Sequence, residues 1–389
     1  MAKALYRNVA LADPAADALS VGHSILVDGG LIRWIRPRDS EEDPGSQCEL
    51  VDGGGTTAIP GMVDAHSHLT LSGGSHWMDR GLDDTATLRR VAERNAELLR
   101  QSGVRWVRDV GAPARDGRAL SLSIRDSWKG RPGYPHIRAA GTWLTASRSL
   151  PSGFGIEVEG GDALLAAAEH QLNQGADLVK LYMDGPDRDV APFTVSEVKK
   201  LVDGVAARGA KVTAHSGQLA GAKVAVEAGV AALEHGFQLD EDTVELMVTN
   251  RVSLVSTLAV LASFKTFSST TDQPRFASPS GRAGLAAQRE WAQFSVQLAH
   301  RAGVHIASGT DFGGGSLRAN QLAWEVECLV AAGLTPREAL CAATVNGGDL
   351  LDEPEAGRIR EGGPADFALV HGDPLSEPAA MWRVWRVSW

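Results

Sequence analysis

Residues 58–69 read AIPGMVDAHSHL: an apolar, strand-like run that is broken near its end by Asp64, His66 and His68. Working outward, the same form recurs seven times. GVRWVRDVG (103–111), HIRAAGTWL (136–144), ADLVKLYMD (176–184), AKVTAHS (210–216), VAALEHG (230–236), RVSLVST (251–257) and GVHIASGTD (303–311) are short apolar runs, and most of them close on polar residues. Amphipathic segments such as TLRRVAERNAELLRQSG (87–103) and TVSEVKKLVDGVAARGA (194–210) separate them, several ending in Gly as a helix C-cap does. Eight strand–helix alternations predict a closed (β/α)8 TIM barrel. An open doubly wound sheet would need a phosphate-cradling glycine loop after the first strand, and AIPGMVDAHSHL is not one.

The two ends of the chain read differently. ALYRNVAL (4–11) and SILVDGGLIRWIRP (24–37) are β-like, with Asp28-Gly29-Gly30 as a hairpin connection. GRIREGGPADFALVHGD (357–373) returns to that pattern, and MWRVWRVSW (381–389) is too apolar for a free tail. The expected division is therefore residues 1–56, 57–352 and 353–389, the two end pieces pairing in one small sheet. With 389 residues and 43% hydrophobic content the chain can bury one large core. Its net charge of −10, with acids and bases interspersed, provides no basic stripe for nucleic acid. No run approaches the roughly 20 apolar residues of a membrane span, and no basic leader precedes an apolar stretch. Cys48, Cys328 and Cys341 lie far apart, which supports neither a disulfide framework nor a thiolate zinc site and fits a reducing cytoplasm. The aromatic C-terminus leaves a homo-oligomer open without locating an interface.

In a barrel, reactive groups collect at the C-terminal ends of the strands. His66 and His68 end the first run, Lys180 lies in the fourth, His215 ends the fifth, His235 the sixth and Asp311 the eighth. Residues two apart on a strand share a face about 6.5–7 Å apart, so two imidazoles can converge on one cation. His-x-His alone is equally compatible with a polar strand end. The coincidence decides: four of the eleven histidines fall at the ends of three such runs. Lys180 is an ammonium in a core-facing run, where an unpaired charge is expensive to bury. Either a salt bridge to an acid such as Asp184 resolves this, or the amine reacts with CO2 to become an anionic carbamate able to bridge two metals.

PGMVDAHSHL, GADLVKLYMDG, VTAHSGQ, LEHGFQLDED, ASGTDFGG, LTPREALCAATVNGG and GGPADFALVHGDPL, in that order, closely resemble the amidohydrolase superfamily, nearest its imidazolonepropionase-like and prolidase-like metal-dependent hydrolases. The resemblance spans about residues 20–375. It implies a (β/α)8 barrel with a flanking β-sandwich and a metal centre at the barrel mouth. In two-metal relatives the positions matching His66, His68 and Asp311 hold one ion, those matching His215 and His235 the other, and the lysine matching Lys180 is carboxylated and bridges them. The implied cofactors are two Zn2+ per chain, with Mn2+ or another divalent ion as substitute, and a CO2-derived carbamate. Metal-activated water would attack a carbonyl, Asp311 serving as general base and then acid, with His215, His235 or Tyr182 stabilising the oxyanion.

The implied reaction is cleavage of an amide-type C–N bond in a small molecule: an N-acyl amino acid, dipeptide, carbamate or cyclic amide. A mononuclear variant, using His66, His68, one later histidine and Asp311, would open rings or deaminate like imidazolonepropionase. Lactone, ester or phosphotriester hydrolysis could use the same site, and a non-catalytic scaffold is the reading from another class. Some peptidase-like relatives carry Gly-His in the loop after the third strand. Residues 143–161 here lack histidine, which argues against a dipeptidase. Candidate substrate contacts are His76 and Trp77 after the first strand, Tyr182, Gln218, Gln238, and Arg318 as a carboxylate binder. Residues 258–282, polar, rich in Ser, Thr and Pro and carrying Lys265 and Arg275, are expected to form a long lid loop. Asp64 has no assigned role.

Overall fold

The structure, a computed structural model, describes residues 3–149, 153 and 155–389. Strands β1 (Ala4–Leu11), β2 (Ser20–Asp28), β3 (Leu31–Pro37), β4 (Glu49–Asp52) and β5 (Thr56–Pro60) begin the chain. The β2–β3 hairpin turns through Gly29 and Gly30, at φ 61° and 78°, a conformation that favours glycine. From there the chain alternates: β6 (Met62–Ser67), α1 (Thr85–Gln101), β7 (Val104–Asp109), α2 (Leu120–Trp128), β8 (His136–Ala139), α3 (Gly161–Asn173), β9 (Val179–Tyr182), α4 (Val195–Ala206), β10 (Val212–Ser216), α5 (Leu219–Glu227), β11 (Ala232–His235), α6 (Glu241–Asn250), β12 (Ser253–Ser256). Helices α7 (Leu258–Phe264), α8 (Pro274–Ala277) and α9 (Pro279–Arg301) precede β13 (Ile306–Ser308), and α10 (Leu322–Ala331) follows it.

Each of the eight expected runs contains one of the strands β6–β13. They pair in parallel, β6–β7–β8 in one sheet and β9–β10–β11–β12–β13 in another. Isolated parallel bridges Ala140↔Leu178 and Ser67↔Phe312 join the sheets at both seams, giving a TIM-barrel-like α/β arrangement. Gly309 makes the second seam possible, because a Cβ there would lie 2.4 Å from that of His66. The helices bury their apolar faces on the strands: α4, with the capping box Thr194/Glu197, buries Val198, Leu201 and Val205.

Both chain ends contribute to one seven-stranded sheet. β14 (Phe367–His371) pairs antiparallel with β5, and β15 (Val384–Val387) pairs with β14, as expected of the two termini. The run AIPGMVDAH proves to be two strands: β5 pairs within the terminal sheet, and β6 begins the parallel one after Gly61. Residues 258–282 correct a second expectation. The apolar stretch LAVLASF is helix α7, with six of its seven residues buried, and Ser278-Pro279 are the N-cap and first residue of α9. The Ser and Pro that suggested a loop are in part helix-start signals.

Candidate active site

The C-terminal ends of the strands surround a cavity lined by His66, His68, Lys180, His215, His235 and Asp311. The side-chain donors of His66, His235 and Asp311 lie within 4.8 Å of one another. Imidazole nitrogens beside a carboxylate form the donor set of a divalent-ion site, so the residues present fit a metal. Asp311 faces both members of the His-x-His pair, its Oδ1 lying 3.5 Å from His66 Nε2 and 3.4 Å from His68 Nε2. Ring centroids of His215 and His235 are 4.4 Å apart, and those of His66 and His235 4.5 Å. His235 and Asp311 both have left-handed backbones, φ 70° and 55°, a strained state for residues other than glycine that concentrates at functional sites.

Each histidine is held through one ring nitrogen, which leaves the other for the cavity. Nδ1 of His66 meets Glu234 Oε2 at 2.7 Å, Nδ1 of His68 meets the Gly111 carbonyl at 2.9 Å, and Nδ1 of His235 meets Thr257 Oγ1 at 2.7 Å. His215 is reversed: its Nε2 meets Asp184 Oδ2 at 3.1 Å, leaving Nδ1. Such partners fix ring orientation and tautomer at metal sites. Burial, reinforced by the nearby Lys180 and other histidines, holds the pKa values of His66 and His235 well below the ordinary range, so both are neutral as ligation requires. Burial works in the same direction on His68, but the hydrogen bond and charge of Asp311 outweigh it and raise that pKa.

Lys180 Nζ is buried without a hydrogen-bond partner among the described residues. Burial lowers its pKa to about 8 despite the negative charges of Glu234, Asp311 and Asp184. The salt bridge to Asp184 that would have made this lysine ordinary is not formed. That carboxylate is instead engaged by His215, the Ser216 hydroxyl and the Gly217 N–H. Tyr182 stacks on His215 at 3.8 Å, and burial raises its pKa, keeping the phenol protonated.

Trp77 and Tyr182 line the cavity; His76, Gln218, Gln238 and Arg318 do not. His76 is exposed and faces Asp79 and Gln273. Arg318 is exposed, with its N–H donated to the Gln321 side-chain oxygen. Gln218 donates its backbone N–H to Asp184 at the start of α5, and Gln238 lies outside on the way to α6. Of the loop after β8, Leu150–Ser152 and Phe154 lie outside the described residues.

Sequence reasoning missed three groups that organise the site. Asp64 accepts hydrogen bonds from the Thr310 N–H at 3.0 Å, the Thr310 hydroxyl at 2.6 Å and the His66 N–H at 3.2 Å, clasping β6 to the chain just before Asp311. Glu234, fully buried, joins His66 to Arg108 and Thr213. Glu325 of α10 accepts from the Ser256 hydroxyl and the Ala259 N–H, anchoring α7 against the end of β12. Asp64 and Glu234 sit two and one residues from motif histidines; Glu325 gave no signal.

A TIM-barrel-like α/β chain with clustered histidines and a carboxylate at its strand ends, a group that could hold a metal ion, has the layout of a hydrolase. Residues 57–387 match the amidohydrolase family, and the chain belongs to it; its members act on carbon–nitrogen bonds. Ochratoxinase from Aspergillus niger is 31% identical over 383 residues, covering 84% of this chain and 74% of that one. Imidazolonepropionase from Deinococcus radiodurans is 26% identical over 393 residues, covering 92% and 87%. A crystal structure of a Xaa-Pro dipeptidase with methionine bound in its active site has a TM-score of 0.84 at 25% identity, covering 99% and 98%.

Proposed function

We propose that this protein is a metal-dependent hydrolase that cleaves the amide-type C–N bond of a small molecule such as an N-acyl amino acid, dipeptide, carbamate or cyclic amide. The observation that carries the reading is the arrangement of the histidines: four imidazoles each held through one nitrogen, surrounding Asp311 and a lysine without a hydrogen-bond partner among the described residues. His66, His68 and Asp311 would hold one divalent ion and His215 and His235 a second, with Lys180, as its carbamate, between them; zinc is the first candidate. Bound there, such ions supply Lewis acidity and bring the pKa of water down towards about 7. Asp311 takes a proton from the attacking water and delivers it to the leaving nitrogen, so that OH ends on the acyl carbon and H on the amine. The protonated Tyr182 phenol faces the cavity and can donate to the developing oxyanion. Thr56–Pro60 runs with the terminal strands, so we place the start of the (β/α)8 unit at Gly61, with the terminal sheet forming the flanking β-sandwich. The separated free cysteines support a reducing cytoplasm.

The tight His66/His235/Asp311 grouping also favours a second reading, a mononuclear enzyme of the ring-opening or deaminating kind. Metal content separates the two. The binuclear enzyme carries two ions per chain and a Lys180 heavier by one CO2 in intact mass, whereas Lys180→Ala with full activity and both metals would refute the bridge. In a screen of N-acyl amino acids, dipeptides, carbamates, cyclic amides and lactones with Zn2+ or Mn2+ restored, Asp311→Asn should lower kcat by about 10²–10⁴-fold. Unchanged turnover in that variant would remove Asp311 from proton transfer.

A further inference from the structure

Arg275, on the four-residue helix α8, lines the same cavity as the His66/His235/Asp311 group. Its guanidinium lies 4.8 Å from the ring of Phe264 and 5.4 Å from that of Phe276. Among the described residues no carboxylate pairs with it, and it makes no hydrogen bond to another residue. The other charges of the cavity are engaged or enclosed. Asp184 is held by His215, Ser216 and Gly217, Asp311 faces His66 and His68, and Lys180 is buried beneath them. Arg275 keeps an exposed surface and is left as an unneutralised cation beside aromatic walls that include Trp77, Trp143 and Phe237.

We propose that Arg275 is an anion subsite, and that the substrate is an N-acyl α-amino acid or dipeptide whose free α-carboxylate it holds. This rests on reading the site as an amide hydrolase, and it selects within that reading against carbamates and cyclic amides without a carboxylate. The guanidinium fork matches both oxygens of a carboxylate, and stacking on rings orients it without removing its charge. The cavity, of about 150 Å³, is lined by Arg275 together with His66, His235 and Asp311, so a ligand held by the guanidinium lies in the same space as the candidate metal ligands. The apolar side chain of the substrate then rests on the aromatic walls.

The test titrates the quenching of tryptophan fluorescence in the intact, metal-loaded protein with N-acetyl-L-phenylalanine and with its C-terminal amide, and follows hydrolysis of both. Wild-type protein should bind the acid about tenfold or more tightly than the amide, the effect of a charge-assisted hydrogen bond. Arg275→Met should reduce the preference to about twofold or less, and Arg275→Lys should retain part of it, with unfolding midpoints close to wild type because the residue is exposed. An equal preference in wild type and Arg275→Met, or no preference in wild type, overturns the subsite. Acid preference without hydrolysis of any amide would leave the subsite standing and sink the reaction; hydrolysis of acid and amide at equal kcat/KM would do the reverse.

Discussion

Two buried cations, Arg108 and Lys180, lie within the same ring of strands, and they are treated in opposite ways. Arg108 is 4% exposed, and its Nε donates to the Ala65 carbonyl at 2.7 Å while its terminal nitrogen donates to Glu234 at 2.5 Å. Lys180 is 1% exposed and has no hydrogen-bond partner among the described residues. The first lines a cavity at the end where the strands begin, the second the cavity where they end. At the end where the strands begin, the buried cation is fully engaged by a carbonyl and a carboxylate. Where chemistry is proposed, a costly group is left open for something the chain does not supply.

The contrast can be broken by mutation. Arg108→Met should have the largest effect on stability, about 3–5 kcal/mol in chemical denaturation, because it strands the Glu234 carboxylate in the interior. It should also loosen His66, which shares that carboxylate. Glu325 sharpens the comparison from the acidic side. Burial raises its pKa to about 7 from the ordinary 4.5, outweighing its two hydrogen bonds. The folded protein therefore holds this proton more tightly than the unfolded chain. Its contribution is full below pH 4.5 and is lost as pH rises to about 7, a change of about 3 kcal/mol that Glu325→Gln should flatten. Urea midpoints of both proteins at pH 5 and pH 8 give the slope; parallel profiles would mean that Glu325 does not titrate in this range. The smallest effect is expected from Lys180→Met in metal-free protein without CO2, within about 1 kcal/mol of wild type, because no partner is lost. A cost equal to that of Arg108→Met would show that the amine is bonded after all and would end the contrast.

The strand positions were legible because a buried parallel strand writes itself as a short apolar run, and the helices between them as amphipathic text. The six candidate ligands were legible because they interrupt or end those runs. Their supports were not. In LEHG both Glu234 and His235 are polar, and sequence cannot say that one turns to Arg108 while the other faces the cavity. Glu325 sits in WEVEC, where a helical glutamate reads as solvated surface, yet it is fully buried. Arg275 was visible as a cation in Ser- and Pro-rich text, but that text read as a loop because its helices form by capping and by packing, the ring of Phe276 lying 5.6 Å from that of Phe264 of α7, rather than by local pattern.

The Asp64 clasp carries a consequence for how the site comes into being. Asp64 and Thr310 are 246 residues apart in the chain, so His66 and Asp311 become neighbours only when β13 has docked against β6. Contacts of such long sequence separation form late and slowly. Metal capture during refolding would therefore act as a clock for the arrival of the last strand, an immature chain holding its ligands on separate pieces with no shared place for an ion.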